Sequence, residues 1–126
     1  MVKYQLEYPT KSSIKILYNC LSSPSGLSEW FADDINLKDN GKVYIFQWDG
    51  SEQEAELLNK KENHYIRFRW VDEDPESYFE FRIVVDEMTG DATLVITDFA
   101  DDDDEAQEQQ MLWDSQVKEL FHTLGS

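Results

Sequence analysis

Two aspartates beside aromatic residues are the side chains of this 126-residue sequence best suited to acid–base chemistry. Asp98 precedes Phe99 in an otherwise apolar stretch, and Asp114 follows Trp113 directly. A carboxyl group among apolar residues has a shifted pKa, which general acid–base catalysis exploits. Neither aspartate has an evident partner, and the sequence contains no Ser–His–Asp order, nucleophile elbow or glycine-rich phosphate loop. We therefore predict no catalytic residues and favour binding over enzymatic activity.

Patterns that would hold a metal ion are equally weak. His64 and His122 are far apart in the sequence, and Cys20 has no second cysteine beside which it could bind a metal. The acidic run at 101–105 lacks the alternating ligands and the central glycine of an EF-hand calcium loop. Such a run is typical of a solvated loop that precedes a helix. We expect neither a metal site nor a cofactor.

Charge and composition exclude several classes of partner. The chain has 27 acidic and 11 basic residues, a formal net charge of -16, which repels the phosphates of nucleic acids and of anionic membranes. It has no apolar run long enough to span a bilayer and no apolar signal segment at its N-terminus. A single cysteine fits a reducing compartment, so we expect a cytoplasmic protein. A basic protein is the macromolecular partner that this charge would suit.

A long amphipathic helix at 103–124 is the element around which the remaining chain is predicted to be arranged. Acidic residues at its start suit the helix dipole, and Gly125 suits its end. A helix with one apolar face has to pack on another element. Its stripe recurs at spacings of four and three residues and consists of Ala106, Gln110, Trp113, Val117, Leu120 and Leu124.

The chain before this helix predicts one strand, two short helices and then a run of strands. Residues 2–8 alternate in polarity as a half-buried strand does. Ser12 and Ser23 can cap the two short helices, the second of which has Pro24 at its first position. Turn signals such as Asp49-Gly50 separate the later strands. These strands are predicted at 42–48, 52–59, 64–71, 79–85 and 92–99.

This order predicts a single α+β domain over residues 1–126, with a curved antiparallel sheet of about six strands wrapped around the C-terminal helix. Apolar residues occur on both alternations of strands 42–48 and 92–99. The sequence therefore leaves open which side of these two strands faces inward.

Four segments resemble the START-like superfamily, also called SRPBCC, whose members have the helix-grip fold. They are PSGLSEWFAD at 24–33, DNGK at 39–42, YIRFRW at 65–70, and the final helix from LW at 112 to Gly125. Together they span nearly the whole chain in the expected order. Within the superfamily, the sequence most resembles the domains similar to the activator of Hsp90 ATPase.

The resemblance implies a binding protein. Members of this superfamily typically hold a hydrophobic ligand between the final helix and the sheet, although some are enzymes that act on polyketides. We therefore expect non-catalytic binding of a small hydrophobic or amphipathic, lipid-like ligand, with plain core packing as the alternative for each lining residue. The cavity residues implied by the resemblance are Trp30, Phe31, Phe46, Trp48, Phe68, Trp70, Phe79, Phe81, Trp113, Val117 and Leu120. Tyr44, Tyr65 or a buried Asp98 would orient the ligand.

Two other functions stay open. The acidic surface would suit a protein-interaction or chaperone-associated module, whose binding weakens as salt rises. A polyketide cyclase-like enzyme is the less favoured alternative, and it would require a buried carboxylate with a partner, for which Asp98 is the candidate.

Overall fold

The computed structural model of the protein describes residues 1–125. Its main element is an antiparallel sheet. Within those residues the sheet has seven strands in the order β1-β7-β6-β5-β4-β3-β2. The strands are β1 (Val2–Thr10), β2 (Asp34–Lys38), β3 (Val43–Trp48), β4 (Ser51–Lys61), β5 (Tyr65–Trp70), β6 (Phe79–Val85) and β7 (Ala92–Ala100). Neighbours in sequence pair as hairpins from β2 to β7, and β1 closes the order by pairing with β7.

Helices pack against one face of the sheet. Helix α1 (Ile14–Ser22) and helix α2 (Pro24–Leu27) follow β1, and helix α3 (Asp103–Leu124) ends the described chain. A 3-10 turn, Asp39–Gly41, joins β2 to β3. The predicted α+β class and the bounds of the C-terminal helix are confirmed.

Strand β2 is an element that the sequence pattern did not indicate. Of its five residues only Ile35 is buried, because β2 is an outer strand of the sheet. An exposed strand does not need the alternation of apolar and polar residues by which strands are recognised. Pairing with β3, in which Asn36 lies opposite Ile45, provides its hydrogen bonds instead.

The starts of the two short helices depend on serine caps. Helix α1 is capped by Ser13, whose Oγ accepts a hydrogen bond from the Ile16 amide at 3.2 Å, so the prediction of Ser12 as the cap was wrong by one residue. The Ser12 amide instead donates to Thr10 Oγ1. Helix α2 begins as predicted, because Ser23 Oγ accepts from the Gly26 amide at 3.0 Å.

Gly26 allows α2 to lie directly against α1. A Cβ atom at this position would lie 2.3 Å from the carbonyl oxygen of Asn19 and 2.6 Å from the Cα of Cys20. Those separations are far below van der Waals contact, so only glycine fits without movement of the backbone.

Helix α3 packs through Trp113, Val117 and Leu120, which are buried. The predicted stripe is correct for these residues but wrong for Gln110, which is exposed, whereas its neighbour Gln109 is half-buried. The helix lies at an angle at which Gln109 faces β1, because the Tyr4 hydroxyl donates to Gln109 Oε1 at 2.6 Å.

The inward faces of the two ambiguous strands are now defined. Tyr44 and Phe46 of β3 and Leu94 and Ile96 of β7 belong to the core beneath the helices. On the opposite face of the sheet, Glu80 is buried beneath two arginine side chains. Long charged side chains can cover apolar surface, which explains how β7 is buried on both alternations.

Candidate functional site

An aromatic cluster occupies the space between α2, α3 and the sheet. We define it as Trp30, Phe31, Phe46, Trp48, Phe68, Trp70, Phe79, Phe81 and Trp113. Together with Val117 and Leu120 these are the residues that the resemblance implied, and all of them belong to the core or pack against it. Trp48 and Trp70 are half-buried and the others are buried. The structure thus brings the implied cavity residues together.

Phe31 lies at the centre of this cluster. It is in the turn that follows α2, outside any helix or strand. Its ring centroid lies within 6.0 Å of the rings of Trp30, Phe46, Trp48, Phe79, Phe81 and Trp113. The side chain that joins the most rings is therefore one that a turn holds in place.

Side chains fill the space directly beneath α3. The indole of Trp113 is stacked on Phe31 at 5.7 Å and meets Phe81 edge-on at 5.8 Å. Edge-on and offset contacts of this kind are the favourable geometries for aromatic rings. A ligand that entered here would have to displace a ring.

A groove between α3 and the turn that follows α2 exposes part of the aromatic cluster at the surface. This α2–α3 groove has a volume of about 320 Å³ and is lined by Ser28, Glu29, Trp30, Phe31, Ala32, Asp33, Trp48, Gln116 and Glu119. At its floor the carbonyl oxygen of Phe31 accepts hydrogen bonds from Trp48 Nε1 at 2.9 Å and from Gln116 Nε2 at 3.4 Å. The turn that carries Phe31 is thus tied both to the sheet and to α3.

Asp98 lies beneath the N-terminal half of α3 and has several hydrogen-bond partners. Its Oδ2 accepts from Trp113 Nε1 at 3.0 Å and lies 3.3 Å from the Tyr4 hydroxyl, and its Oδ1 accepts from the Phe99 amide at 2.8 Å. Burial raises the pKa of Asp98, and these hydrogen bonds only partly oppose the increase. The buried carboxylate that the sequence suggested is present, with both oxygens engaged.

The partners of Asp98 were missed because they come from elements distant in sequence. Tyr4 lies directly opposite Asp98 in the pairing of β1 with β7. The alternation of Tyr4 with Leu6 placed the tyrosine on the inward face, but only the register between the two strands shows which residue it meets. Register was the missing signal.

The second candidate carboxylate, Asp114, is exposed and ties α3 to β1. It accepts a hydrogen bond from the Tyr8 hydroxyl at 2.5 Å. Burial, and next the hydrogen bond to Asp114, raise the pKa of Tyr8. This contact makes Asp114 part of the attachment of the helix.

The tyrosines predicted to orient a ligand lie away from Trp113. The Tyr44 hydroxyl donates to the carbonyl oxygen of Ser22 at 2.7 Å. The Tyr65 ring lies on the other face of the sheet, 4.3 Å below the guanidinium of Arg82. Of the three groups considered, Asp98 alone contacts Trp113 among the described residues.

Residues 1–125 contain neither a cluster of metal ligands nor a helix that could span a membrane. No three His, Cys, Asp or Glu side chains of this part of the chain converge as metal ligands would. None of its helices is both long enough and apolar enough to cross a membrane.

Known proteins share this fold. A family model described as START-like superfamily domain matches residues 1–126. A Bacteroides fragilis protein solved by solution NMR is 39% identical, with a TM-score of 0.68 over 97% of this chain and 90% of that chain. No curated protein matches the sequence.

Two further solved structures share the fold at lower identity. The Aha1 dimer from Colwellia psychrerythraea is 18% identical, with a TM-score of 0.80 over 98% of this chain and 96% of that chain. A putative protein in the dynemicin biosynthetic locus is 15% identical, with a TM-score of 0.81 over 98% of this chain and 47% of that chain. At these identities the similarity shows a shared fold and nothing further.

Proposed function

The chain belongs to the START-like superfamily, and we propose that it binds a small hydrophobic or amphipathic molecule, without catalysis, between α3 and the sheet. The proposed contacts are the aromatic cluster together with Val117 and Leu120. The proposed setting is the cytoplasm, where the thiol of Cys20 would stay reduced.

The position of Phe31 is the observation that carries this proposal. Its ring lies beneath Trp113 at the floor of the α2–α3 groove, yet its backbone is in a turn. A turn can shift without breaking the ladder of hydrogen bonds that a strand maintains. Within residues 1–125, the only side-chain hydrogen bonds that link this turn to the sheet and to α3 are those from Trp48 and Gln116 to the Phe31 carbonyl oxygen. Movement of this ring would free a space lined by Trp113, Phe46 and Phe81, and aromatic walls are typical of pockets for small apolar ligands.

The rim of the groove is polar and suits an amphipathic ligand. Ser28, Gln116 and Glu119 lie at the groove, above the aromatic floor. The apolar part of the ligand would replace the ring of Phe31, and its polar end would remain at this rim.

Probe binding tests the proposal. Gln116→Trp should fill the groove and weaken binding of a fluorescent fatty-acid analogue at least tenfold, because the ring would block the path to Phe31. Gln107→Trp adds the same ring on the exposed face of α3 and is the matched control. If the wild-type protein does not bind the analogue, or if both variants bind it as the wild type does, the proposal is wrong.

Mass spectrometry of the protein purified from its own cells identifies the natural ligand. We expect native spectra to show an added mass that is lost on denaturation and extracts into organic solvent. A bare chain that also fails to bind the analogue would favour the alternative function below.

The alternative is a protein-interaction module with a basic partner. On the outward face of α3, Met111 and Leu112 are 73% and 61% exposed, and Glu108 lies one helical turn before them. Exposed apolar side chains bordered by acids suit a basic, partly apolar surface. Partner binding that weakens steeply with salt, and that Met111→Ser reduces, would favour this function.

Catalysis is not part of either proposal. Both oxygens of Asp98 already accept hydrogen bonds from protein groups, which leaves this carboxylate poorly placed to take a proton from a substrate. Turnover that Asp98→Asn abolished would contradict this statement.

A further inference from the structure

A second concave site lies beside α1 and shares no lining residue with the α2–α3 groove. This α1 cleft, with a volume of about 490 Å³, is formed between α1 and the turn that joins β4 to β5. Lys15, Tyr18 and Asn19 line it from α1, Lys60 lines it from the end of β4, and Asn63 lines it from the turn. Spacings of three and four residues place the α1 side chains on one face of the helix.

Four donor side chains of the α1 cleft, those of Lys15, Lys60, Asn19 and Asn63, have no protein partner in the described part of the chain. Lys15 and Lys60 form no ion pair within residues 1–125, in contrast to Lys38 and the arginines of the sheet. The side-chain amides of Asn19 and Asn63 likewise form no hydrogen bond within those residues. Two ammonium groups and two amides therefore line one space without a protein partner, and they can donate to a ligand there.

The floor of the cleft is rigid and neutral. The Tyr18 hydroxyl donates to the carbonyl oxygen of Tyr65 at 3.0 Å, and the Tyr44 hydroxyl donates to the carbonyl oxygen of Ser22 at 2.7 Å. Burial raises the pKa of Tyr18 to about 12, so its hydroxyl keeps its proton at neutral pH. The floor therefore adds no negative charge, and its hydrogen-bonded tyrosines preserve the shape of the site.

The charge of the cleft differs from that of the protein as a whole. The chain has a formal net charge of -16, yet in this cleft the lysines outnumber the single acid, Glu62. Charges farther away than the Debye length, about 8 Å at physiological salt, are largely screened, so an anion at the cleft would interact mainly with this local set. Lysine ammonium groups are common ligands of phosphates and carboxylates.

We propose that the α1 cleft binds a small organic anion through its carboxylate or phosphate group. Lys15 and Lys60 neutralise the charge, and the amides of Asn19 and Asn63 donate to the remaining oxygens. Glu62 accepts a hydrogen bond from a hydroxyl group of the ligand, which favours a hydroxylated anion over a bare inorganic ion. The ring of Tyr44, which packs on Phe46 and Phe68, separates this site from the aromatic cluster. The inference is therefore independent of the apolar ligand proposed above.

Amide NMR of the full chain tests this inference, with citrate and glycerol phosphate as the probes. Saturable shifts should be confined to residues 15–23 and 60–63, and they should weaken as salt rises. A Lys15→Gln/Lys60→Gln variant should bind at least about tenfold more weakly, the change expected from losing hydrogen bonds to a charged group. Lys118→Gln is the matched control, because Lys118 lines a groove of about 480 Å³ beside α3.

The pattern of saturation shows whether the α1 cleft binds organic anions. Saturation by citrate alone or by glycerol phosphate alone would support the site and assign its head group. The lysines are exposed, so an unchanged melting temperature would show that the double variant is folded. Absence of saturation by either probe, or an equal loss in Lys118→Gln, would overturn the inference.

Discussion

The ring of Phe31 lies nearly parallel to the indole of Trp113, with 5.7 Å between centroids and 10° between planes. One ring belongs to the turn after α2 and the other to α3, so this stack joins the two helical regions above the sheet. The position of α3 therefore depends on a side chain that no regular element holds.

Removal of the Phe31 ring should destabilise the protein strongly. Because the ring is buried among other aromatic rings, Phe31→Ala should lower the free energy of unfolding by about 3–5 kcal/mol. Urea unfolding followed by tryptophan fluorescence measures the loss. Val71→Ala, at an exposed position, should change stability by no more than about 0.5 kcal/mol. A comparably small loss in Phe31→Ala would show that the ring is not packed in solution.

Gly26→Ala should destabilise the contact between the two short helices. The added Cβ would overlap the carbonyl oxygen of Asn19, which is backbone and cannot rotate away. A forced backbone shift of this kind costs about 1–3 kcal/mol. Thermal unfolding of Gly26→Ala beside Ser25→Ala, which changes an exposed neighbour, measures the effect. Equal melting temperatures of the two variants would contradict the close approach of α2 to α1.

Asp98 should make the protein more stable as the pH falls. Its pKa is raised in the folded protein, so the folded state holds this proton more tightly than the unfolded state does. Between the ordinary aspartate pKa of about 3.9 and the raised value, stability should therefore fall as pH rises. Urea unfolding at several pH values should show that Asp98→Asn removes this slope. An unchanged slope would mean that Asp98 is solvated rather than buried.

Glu80 should make the protein less stable as the pH falls, which is the opposite of the effect of Asp98. Burial acts to raise its pKa, but hydrogen bonds from Arg82 and Arg67 outweigh burial and lower it. The stabilisation is therefore complete above the unfolded pKa, about 4.3, and is lost as pH falls through the folded value.

The Glu80→Gln substitution tests this contribution at neutral pH. It should lower the free energy of unfolding by about 3 kcal/mol, because it breaks a buried ion pair while leaving both arginines in place. The loss should shrink in acid, where wild-type Glu80 is protonated as well. Glu56→Gln, which removes an exposed partner of Arg69, is the control and should cost at most about 1 kcal/mol. Similar losses in the two variants would place Glu80 at the surface.

The features predicted correctly are those that produce a periodic pattern of apolar residues in the sequence. Helix α3 was identified because its apolar residues recur with the helical period, and its bounds agree with acids at the start and Gly125 at the end. Strand β2 was missed because an outer strand with one buried residue has no such pattern. The partners of Asp98 and the central place of Phe31 depend on register and on the path of a turn, which local sequence does not encode.

The hydrogen bond from Trp113 to Asp98 should stabilise the protein more than the hydrogen bond from Trp48 to the carbonyl oxygen of Phe31. Trp113→Phe keeps a ring in place but removes the Nε1 donor to a carboxylate, whereas Trp48→Phe removes an Nε1 donor to the carbonyl oxygen of Phe31. Hydrogen bonds to charged groups contribute about 1.5–3 kcal/mol, roughly twice the neutral value. Chemical unfolding at neutral pH should therefore show the larger loss in Trp113→Phe. This hydrogen bond acts to lower the pKa of Asp98, so its removal should raise that pKa further. The decrease in stability with rising pH should therefore continue to a higher pH in Trp113→Phe than in the wild type. If the two variants lost equal stability and the pH profile of Trp113→Phe matched that of the wild type, Asp98 would not be the charged acceptor of this hydrogen bond.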